Sequence, residues 1–166
     1  MSLFKKIKSI WDAGINPDNS LPPSFTPPDP KGSLEEKILE VKKDSSRQGA
    51  FHQALANEEV MVLLAGKPGL RDSQPAEGEP VPVAMFEIGG RDAAVVITSD
   101  ARFKEYGSAS GEVNPGRLRW KTRNLLTVLP DHIDISVNPG SRYFAVDVST
   151  RDIKNDLGMT RFTMSR

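Results

Sequence analysis

The chain has 166 residues with 22 basic and 22 acidic side chains, so its formal net charge is zero. This length favours one domain with a buried core, and the balanced charge excludes a global field that would draw the protein onto nucleic acid. Cysteine is absent, which excludes disulfides, zinc–thiolate sites and thiol catalysis. No apolar run is long enough to span a membrane and no secretory signal is recognisable, so we expect a cytoplasmic protein, or one that is delivered without a cleaved signal.

The first segment has the pattern of a short basic amphipathic helix. Over residues 3–11 the apolar side chains share one helical face, while the lysines fall mostly off it. Such a helix can bind an anionic membrane, dock into a partner's groove or pack back on its own domain. The candidate contact residues are Phe4, Lys5, Lys6, Ile7, Lys8 and Trp11. A proline-rich stretch follows and predicts an extended linker, so residues 1–32 form an N-terminal arm.

Residues 33–64 predict two helices and an interior strand. Ser33 with Glu36 resembles a capping box, and apolar residues then recur at helical spacing up to Lys43. Ser45 or Ser46 can cap a second helix. Its predicted buried stripe is Ala50, Phe51, Ala54 and Leu55. The unbroken apolar run at 60–64 is typical of a strand covered on both faces.

The next part of the chain predicts a loop and then a hairpin. Residues 66–82 are rich in proline and glycine and have little apolar content, which indicates a mobile loop. Residues 83–88 and 94–97 carry β-forming side chains on either side of a turn at 89–92. We therefore expect two paired strands here.

Two further helices follow strands and begin with hydroxyl caps. Thr98 or Ser99 is expected to cap a helix that runs through Tyr106 and stops at Gly107. Near the end of the chain, Ser149 and Asp152 resemble a capping box that opens a helix to residue 157.

The clearest strand signal lies near the C-terminus. Residues 133–137 and 144–148 both alternate apolar and polar side chains, which is the period of a half-buried strand. Between them, Pro139 presets the first central position of a turn and Gly140 supplies the positive φ required at the second. The sequence predicts that these two strands pair across a loop that extends to Arg142 and Tyr143.

A basic segment gives the best local charge pattern. Residues 117–121 alternate so that Leu118 and Trp120 face inward and the basic residues face outward, and a helix then runs from Thr122 to Leu129. This surface can bind an acidic partner, anionic lipid or nucleic acid, or serve as a solvated face that discourages edge pairing. The candidate binding residues are Arg117, Arg119, Trp120, Lys121, Arg123 and Arg142.

Catalytic and metal signals are weak. His52 and His132 are the two histidines, and His132 with Asp131 and Asp134 offers three ligands without a fourth. Residues 107–111 read Gly-Ser-Ala-Ser-Gly, which lacks the serine-centred pattern of a hydrolase elbow. We therefore predict no catalytic residue, no metal and no cofactor, and keep a small hydrolase or metal enzyme built around His132 as an alternative.

The order of these parts resembles the N-terminal domain of the enhanced serine sensitivity protein family, SseB. The resemblance rests on residues 51–55 leading into the strand at 60–64, on Thr98-Ser99 before a helix, and on the turn Asn138-Pro139-Gly140-Ser141. Ile97 replaces the phenylalanine usual before Thr-Ser. The resemblance spans residues 34–158 and implies an α+β fold, a bacterial cytoplasmic setting and a non-enzymatic role. It supplies no catalytic residues.

Together these patterns predict an α+β domain over residues 33–158, with a mixed, mostly antiparallel sheet of five or six strands flanked by helices. Residues 159–166 form a C-terminal tail. The predicted function is a protein-interaction or regulatory module whose partner is another protein, with no nucleic acid expected. Attachment to an anionic membrane through the N-terminal arm is an alternative.

Overall fold

The computed structural model describes residues 30–159. The predicted amphipathic helix, most of the proline-rich linker and nearly all of the C-terminal tail lie outside the described residues. The helices are α1 (Ser33–Lys43), α2 (Gln48–Asn57), α3 (Asp100–Ser110), α4 (Thr122–Val128) and α5 (Thr150–Asp156), with a 3-10 turn at Ser45–Arg47. The strands are β1 (Glu59–Leu63), β2 (Leu70–Arg71), β3 (Met85–Ile88), β4 (Arg91–Ile97), β5 (Arg117–Lys121), β6 (Asp134–Val137) and β7 (Val146–Val148).

The described strands form one mixed sheet in the order β2-β5-β1-β4-β6-β7, with β3 also paired to β4. The β2–β5 and β4–β6 pairs are parallel, and the other pairs are antiparallel. The predicted α+β class with a mostly antiparallel mixed sheet is confirmed. The described part of the sheet has seven strands, whereas the sequence predicted five or six.

Strand β4 has three partners because two of them share one of its sides. Strand β6 pairs with β4 along Ala93–Val96, so it occupies one side. On the other side, β1 pairs with the last two residues of β4 and β3 pairs with the first four. Strand β3 thus takes the place of β1 beside β4 once β1 has ended at Leu63.

The two faces of the sheet carry cores of different size. The larger core packs α1, α2, α4 and α5 against residues such as Val62, Val96, Leu118 and Ile135. The smaller core lies on the opposite face, where Tyr106 of α3 packs with strand residues. Its other buried members are Met61, Leu63, Phe86, Val95 and Ile97. Four helices therefore cover one face, and α3 is the described helix on the other.

The predicted C-terminal strand pair is confirmed. Strands β6 and β7 are antiparallel, with Ile135 opposite Val148 and Val137 opposite Val146. The backbone N–H of Ser141 donates to the carbonyl of Asn138 at 3.0 Å, and Gly140 has the predicted positive φ of 93°. The predicted hairpin before Thr98 is also present, with Gly89 and Gly90 both at positive φ as a two-residue turn requires.

Two of the predicted helix starts are confirmed. The Ser99 and Ser149 hydroxyls accept hydrogen bonds from the backbone N–H groups of Arg102 and Asp152, so these serines cap α3 and α5. The capping box at Ser33 is wrong because Ser33 lies inside α1 and Gly32 precedes it without a side-chain cap. The cap expected at Ser45 or Ser46 is wrong as well, since the Asp44 carboxylate accepts from the Ser46 N–H at 3.0 Å.

Three other sequence expectations need correction. Helix α3 continues through Gly107 to Ser110 and ends where Gly111 adopts a left-handed φ of 78°. The buried residues of α2 are Phe51, His52, Leu55 and Ala56, whereas Ala50 is exposed. The segment at 66–82 is not wholly a loop, since it contains β2, which pairs with β5. Neighbouring strands and helices, which local patterns do not reveal, decide these features.

Candidate functional site

Two of the motifs that carry the family resemblance, Thr98-Ser99 and the turn at 138–141, meet at one end of the sheet. Because β4 and β6 run parallel, Thr98 after β4 and Asn138 after β6 emerge side by side. The Asn138 Oδ1 accepts a hydrogen bond from the Thr98 backbone N–H at 2.9 Å. Its Nδ2 donates to the Thr98 hydroxyl at 2.9 Å and to the Phe144 carbonyl at 3.1 Å. Asn138 therefore joins the end of β4 to the loop between β6 and β7.

Glu35 of α1 completes this cluster from the opposite side. Its side chain is 0% exposed, and its Oε2 accepts hydrogen bonds from the hydroxyls of Thr98 at 2.7 Å and Ser99 at 2.9 Å. Its Oε1 accepts from the Lys31 backbone N–H at 2.8 Å. A buried carboxylate is costly unless it is paired and hydrogen-bonded, and here it is both.

Arg102 of α3 supplies the compensating charge. Its Nε lies 3.4 Å from Glu35 Oε2, and its Nη1 lies 2.8 Å from Glu105 Oε1. Its guanidinium also stacks 4.3 Å from the centre of the Phe144 ring. The polar groups of Glu35, Thr98, Ser99, Arg102 and Asn138, which we call the clasp, thus bind one another. The clasp holds α1, α3 and the β6–β7 loop together.

A groove opens where β1 ends and β3 takes its place. Its volume is about 390 Å³. The sheet side is lined by Leu63, Leu64, Ala84 and Phe86, and the opposite side by the loop between α3 and β5, including Glu112 and Pro115. Apolar pockets with a few polar groups are the common form of binding sites in proteins. This groove is our candidate binding site.

The loop between α3 and β5 is fixed against the loop that follows β1. The backbone N–H of Leu64 donates to the Gly116 carbonyl at 2.8 Å, and the N–H of Gly69 donates to the Asn114 carbonyl at 3.2 Å. A Cβ at Gly116 would lie 2.4 Å from the Lys67 carbonyl oxygen. The two loops therefore approach so closely that only glycine is compatible with this contact.

Exposed apolar side chains lie near the groove. Val113, in the loop that lines it, is 94% exposed, and Met85, between the lining residues Ala84 and Phe86, is 46% exposed.

Tyr106 packs with Leu63 and Phe86. Burial raises the pKa of the Tyr106 hydroxyl above its usual range, and the nearby charge of Glu112 raises it further. This hydroxyl consequently stays neutral.

The basic residues of β5 make contacts within the domain. Arg117 Nη1 donates to Asn114 Oδ1 at 2.9 Å, and its guanidinium lies 4.2 Å from the centre of the Phe103 ring. Arg119 pairs with Asp72 at 3.2 Å. Trp120 faces the larger core and is buried, while Lys121 is exposed. The predicted inward and outward faces of β5 are confirmed, and two of its three cations contact partners inside the domain.

The other predicted contact residues are scattered. Arg123 lies on α4, where it donates to Asn57 Oδ1 at 3.3 Å. Arg142 is exposed after the turn at 138–141, near β7, and stacks over Tyr143. Strands β1, β4 and β6 separate β5 from β7, so Arg142 does not join the basic residues of β5. The candidates Phe4, Lys5, Lys6, Ile7, Lys8 and Trp11 lie outside the described residues.

The two histidines occupy different environments. His52 is buried between α2 and α5, where its Nδ1 lies 2.5 Å from Asp156 Oδ2. His132 is exposed, and Asp131 beside it binds the Lys154 ammonium at 2.9 Å. Within residues 30–159, no group of three or more histidine and acidic side chains is placed to hold a metal ion.

Two carboxylates approach each other across β6 and β7. Asp147 lies opposite Ser136, two residues beyond Asp134. Loss of hydration, together with the charge of Asp134, raises the pKa of Asp147 to about 6, while Ser136 and Arg91 oppose the shift. Burial also raises the pKa of Asp134, although Arg91 pairs with it at 2.8 Å. The charge of Arg91 therefore opposes the rise in pKa of both carboxylates.

Sequence patterns indicated neither the groove nor the partners of the clasp. Glu35 and Arg102 look like ordinary solvent-facing residues in the first turns of their helices, and nothing local marks them as buried. The groove depends on β3 replacing β1 beside β4, which is a property of the whole sheet. The one usable signal was the position of Thr98-Ser99 and Asn138 directly after strands.

Among the described helices, none is both long and apolar enough to cross a bilayer. Comparison with known proteins found no matching curated protein and no matching solved structure. The SseB protein N-terminal domain family matches residues 34–151, which include α1 from its second residue, the whole sheet and the clasp. The chain therefore belongs to the SseB protein N-terminal domain family.

Proposed function

We propose that this domain is a non-enzymatic protein-interaction or regulatory module that binds another protein at the groove. The observation that carries the proposal is the exposed apolar Val113 beside a groove lined by Leu63, Leu64, Ala84 and Phe86. Apolar surface that borders a concave site favours association because contact with a partner removes it from water.

The clasp supports this proposal by leaving the groove as the more accessible site. Its carboxylate, amide and hydroxyl groups are engaged with one another, and Glu35 and Arg102 are buried. A ligand would have to displace these internal hydrogen bonds before reaching them, which costs free energy. The groove requires no such displacement.

Site-specific photo-cross-linking in the source cells tests the proposal. A photoreactive benzophenone amino acid is placed at position 113 of the full chain, and a matched variant carries it at Lys43, which is exposed at the end of α1. We expect one discrete covalent adduct with a second protein from position 113 and none from position 43. A third variant with Phe86→Asp, which places a charge in the groove, should lose the adduct.

The absence of an adduct at position 113, or the same adducts from both positions, would contradict the proposal. Circular dichroism of the Phe86→Asp variant separates loss of binding from loss of folding, because Phe86 also belongs to the smaller core.

A further inference from the structure

We infer that the N-terminal arm of the same chain binds in the groove through the apolar face of residues 3–11 and so competes with the partner protein. This inference rests on the proposed function and adds the regulation of that site. It follows from the apolar character of both surfaces, the place where the arm joins the domain and the length of chain between them.

The groove and the first segment of the chain offer matching apolar surfaces. The sheet side of the groove is apolar, and Val113 beside it is 94% exposed. Phe4, Ile7 and Trp11 follow the i, i+3, i+7 spacing by which amphipathic helices bind in apolar grooves. Contact between the two surfaces removes both from water, which is favourable. The lysines of this segment fall mostly off the apolar face, so they need no place in the groove.

The arm joins the domain beside the start of α3. The Lys31 backbone N–H donates to Glu35 Oε1 at 2.8 Å, and Glu35 Oε2 lies 3.4 Å from the Nε of Arg102 in the first turn of α3. Glu112, which lines the groove, lies two residues after Ser110, where α3 ends. The span from the arm to the groove is therefore close to the length of this helix, about 16 Å for 11 residues.

The chain between the amphipathic segment and the domain is long enough for this span. Residues 12–29 make up this connection, and they are rich in proline. An extended proline-rich chain of this length would reach about 55 Å, and a flexible one would have an end-to-end distance of about 23 Å. Either value exceeds the length of α3. Because the segment and the groove belong to one chain, the effective concentration of the segment is on the order of 1 mM.

The groove suits an apolar segment better than the hollow that lies nearer to the arm. That hollow has a volume of about 430 Å³ and lies between α3 and the turn at 138–141. It is lined by Lys104, Glu105, Ser108, Ala109 and Gly140. Its lysine and glutamate would lose hydration beneath an apolar face, which costs free energy, whereas the sheet side of the groove is already apolar. The arm is therefore assigned to the groove.

Photo-cross-linking of the purified full chain tests the inference. With the benzophenone amino acid at position 113 and no other protein present, we expect an intramolecular cross-link to residues 3–11, identified by mass spectrometry of a proteolytic digest. The double variant Phe4→Asp/Trp11→Asp should lose this cross-link, because it places two charges on the apolar face. The matched variant Lys5→Asp/Ser9→Asp adds the same two carboxylates on the opposite helical face and should keep the cross-link.

The same variants measure the competition in the source cells. A segment with a dissociation constant of about 0.1 mM, at an effective concentration of about 1 mM, leaves the groove open about one tenth of the time. Phe4→Asp/Trp11→Asp should therefore raise the yield of the partner adduct at position 113 by up to about tenfold. Lys5→Asp/Ser9→Asp should leave that yield unchanged.

The outcomes separate this inference from the proposed function. Absence of a cross-link to residues 3–11, or cross-linked dimers of the chain in its place, would overturn binding of the arm in the groove. An equal yield of partner adduct from the parent and Phe4→Asp/Trp11→Asp would overturn the competition, while the adduct itself would still support interaction at the groove. An intramolecular cross-link without a partner adduct in any variant would support the arm and contradict the proposed function.

Discussion

Glu35 illustrates how one side chain can connect several parts of a fold. Its carboxylate is fully buried and accepts hydrogen bonds from Thr98, Ser99 and the Lys31 backbone beside the Arg102 guanidinium. We predict that Glu35→Ala lowers the free energy of unfolding by about 2–4 kcal/mol, because it removes the acceptor of the Thr98 and Ser99 hydroxyls and leaves the buried Arg102 paired with Glu105 alone. Urea denaturation measures this change.

Glu36→Ala is the matched control for that substitution. Glu36 lies in the same helical turn but is exposed, so its removal should change the free energy of unfolding by about 0.5 kcal/mol or less. Equal effects of the two substitutions would show that the clasp contributes little to stability.

Asp147 predicts a specific pH dependence of stability. Its pKa is raised to about 6 in the folded state, so the folded protein binds a proton more tightly than the unfolded chain. The stability from this group is complete below the unfolded pKa and is lost as the pH rises through about 6. Because Asp147 remains partly exposed, screening limits the effect at pH 7 to about 1 kcal/mol.

The Asp147→Asn variant should therefore be more stable than the parent at pH 7 and equally stable near pH 4. Thermal denaturation between pH 4 and pH 7 measures the difference. Asp92→Asn is the control, because Asp92 is an exposed residue of β4. A constant offset between Asp147→Asn and the parent at every pH would contradict the prediction.

At the scale of elements, local determinants explain what the sequence could predict. Alternation at 133–137 and 144–148, the Pro139-Gly140 turn and the Ser99 and Ser149 caps act within a few residues, and the structure contains all of them. The predicted end of α3 at Gly107 was wrong because this glycine is accommodated within the helix. The helix ends instead where Gly111 adopts the left-handed conformation. A two-residue strand such as β2 has no period to detect.

The contact between the loops after β1 and α3 gives a prediction about elements. Gly116→Ala would place a Cβ 2.4 Å from the Lys67 carbonyl oxygen and 3.2 Å from that of Leu64. We expect it to lower the free energy of unfolding by about 1–3 kcal/mol, because the backbone of one loop must move. Thermal denaturation provides the measurement.

Gly49→Ala is the corresponding control. Gly49 lies in α2 with open space where a Cβ would be, so alanine should stabilise the helix by about 0.5–1 kcal/mol. The two glycine substitutions thus have opposite predicted signs. A Gly116→Ala variant as stable as the parent would mean that the loops separate readily.

At the scale of the whole molecule, the sequence predicted the α+β class and the family, but not the binding site. The groove arises from strands that are distant in the chain, and the clasp joins Glu35 to residues near 100 and 138. Period and capping signals carry no information about which distant residues meet. Pairing partners therefore had to come from the structure.

The N-terminal arm gives a prediction that separates membrane association from protein interaction. If residues 3–11 bind anionic membranes as a basic amphipathic helix, deletion of residues 1–15 should abolish sedimentation with anionic liposomes at low salt. The same deletion should leave the position-113 adduct intact if the groove binds its partner independently. Sedimentation of the full chain that is absent, or unchanged by the deletion, would remove the membrane alternative.

The three-way pairing of β4 also has a consequence for how the chain folds. Of its three partners, β1 and β3 precede it and β6 is made about forty residues later, so large loops must close before the centre of the sheet is complete. Such non-local pairing slows folding relative to helical domains of similar size. A nascent chain that ends before β6 exposes one side of β4, and chaperones would meet it there during synthesis.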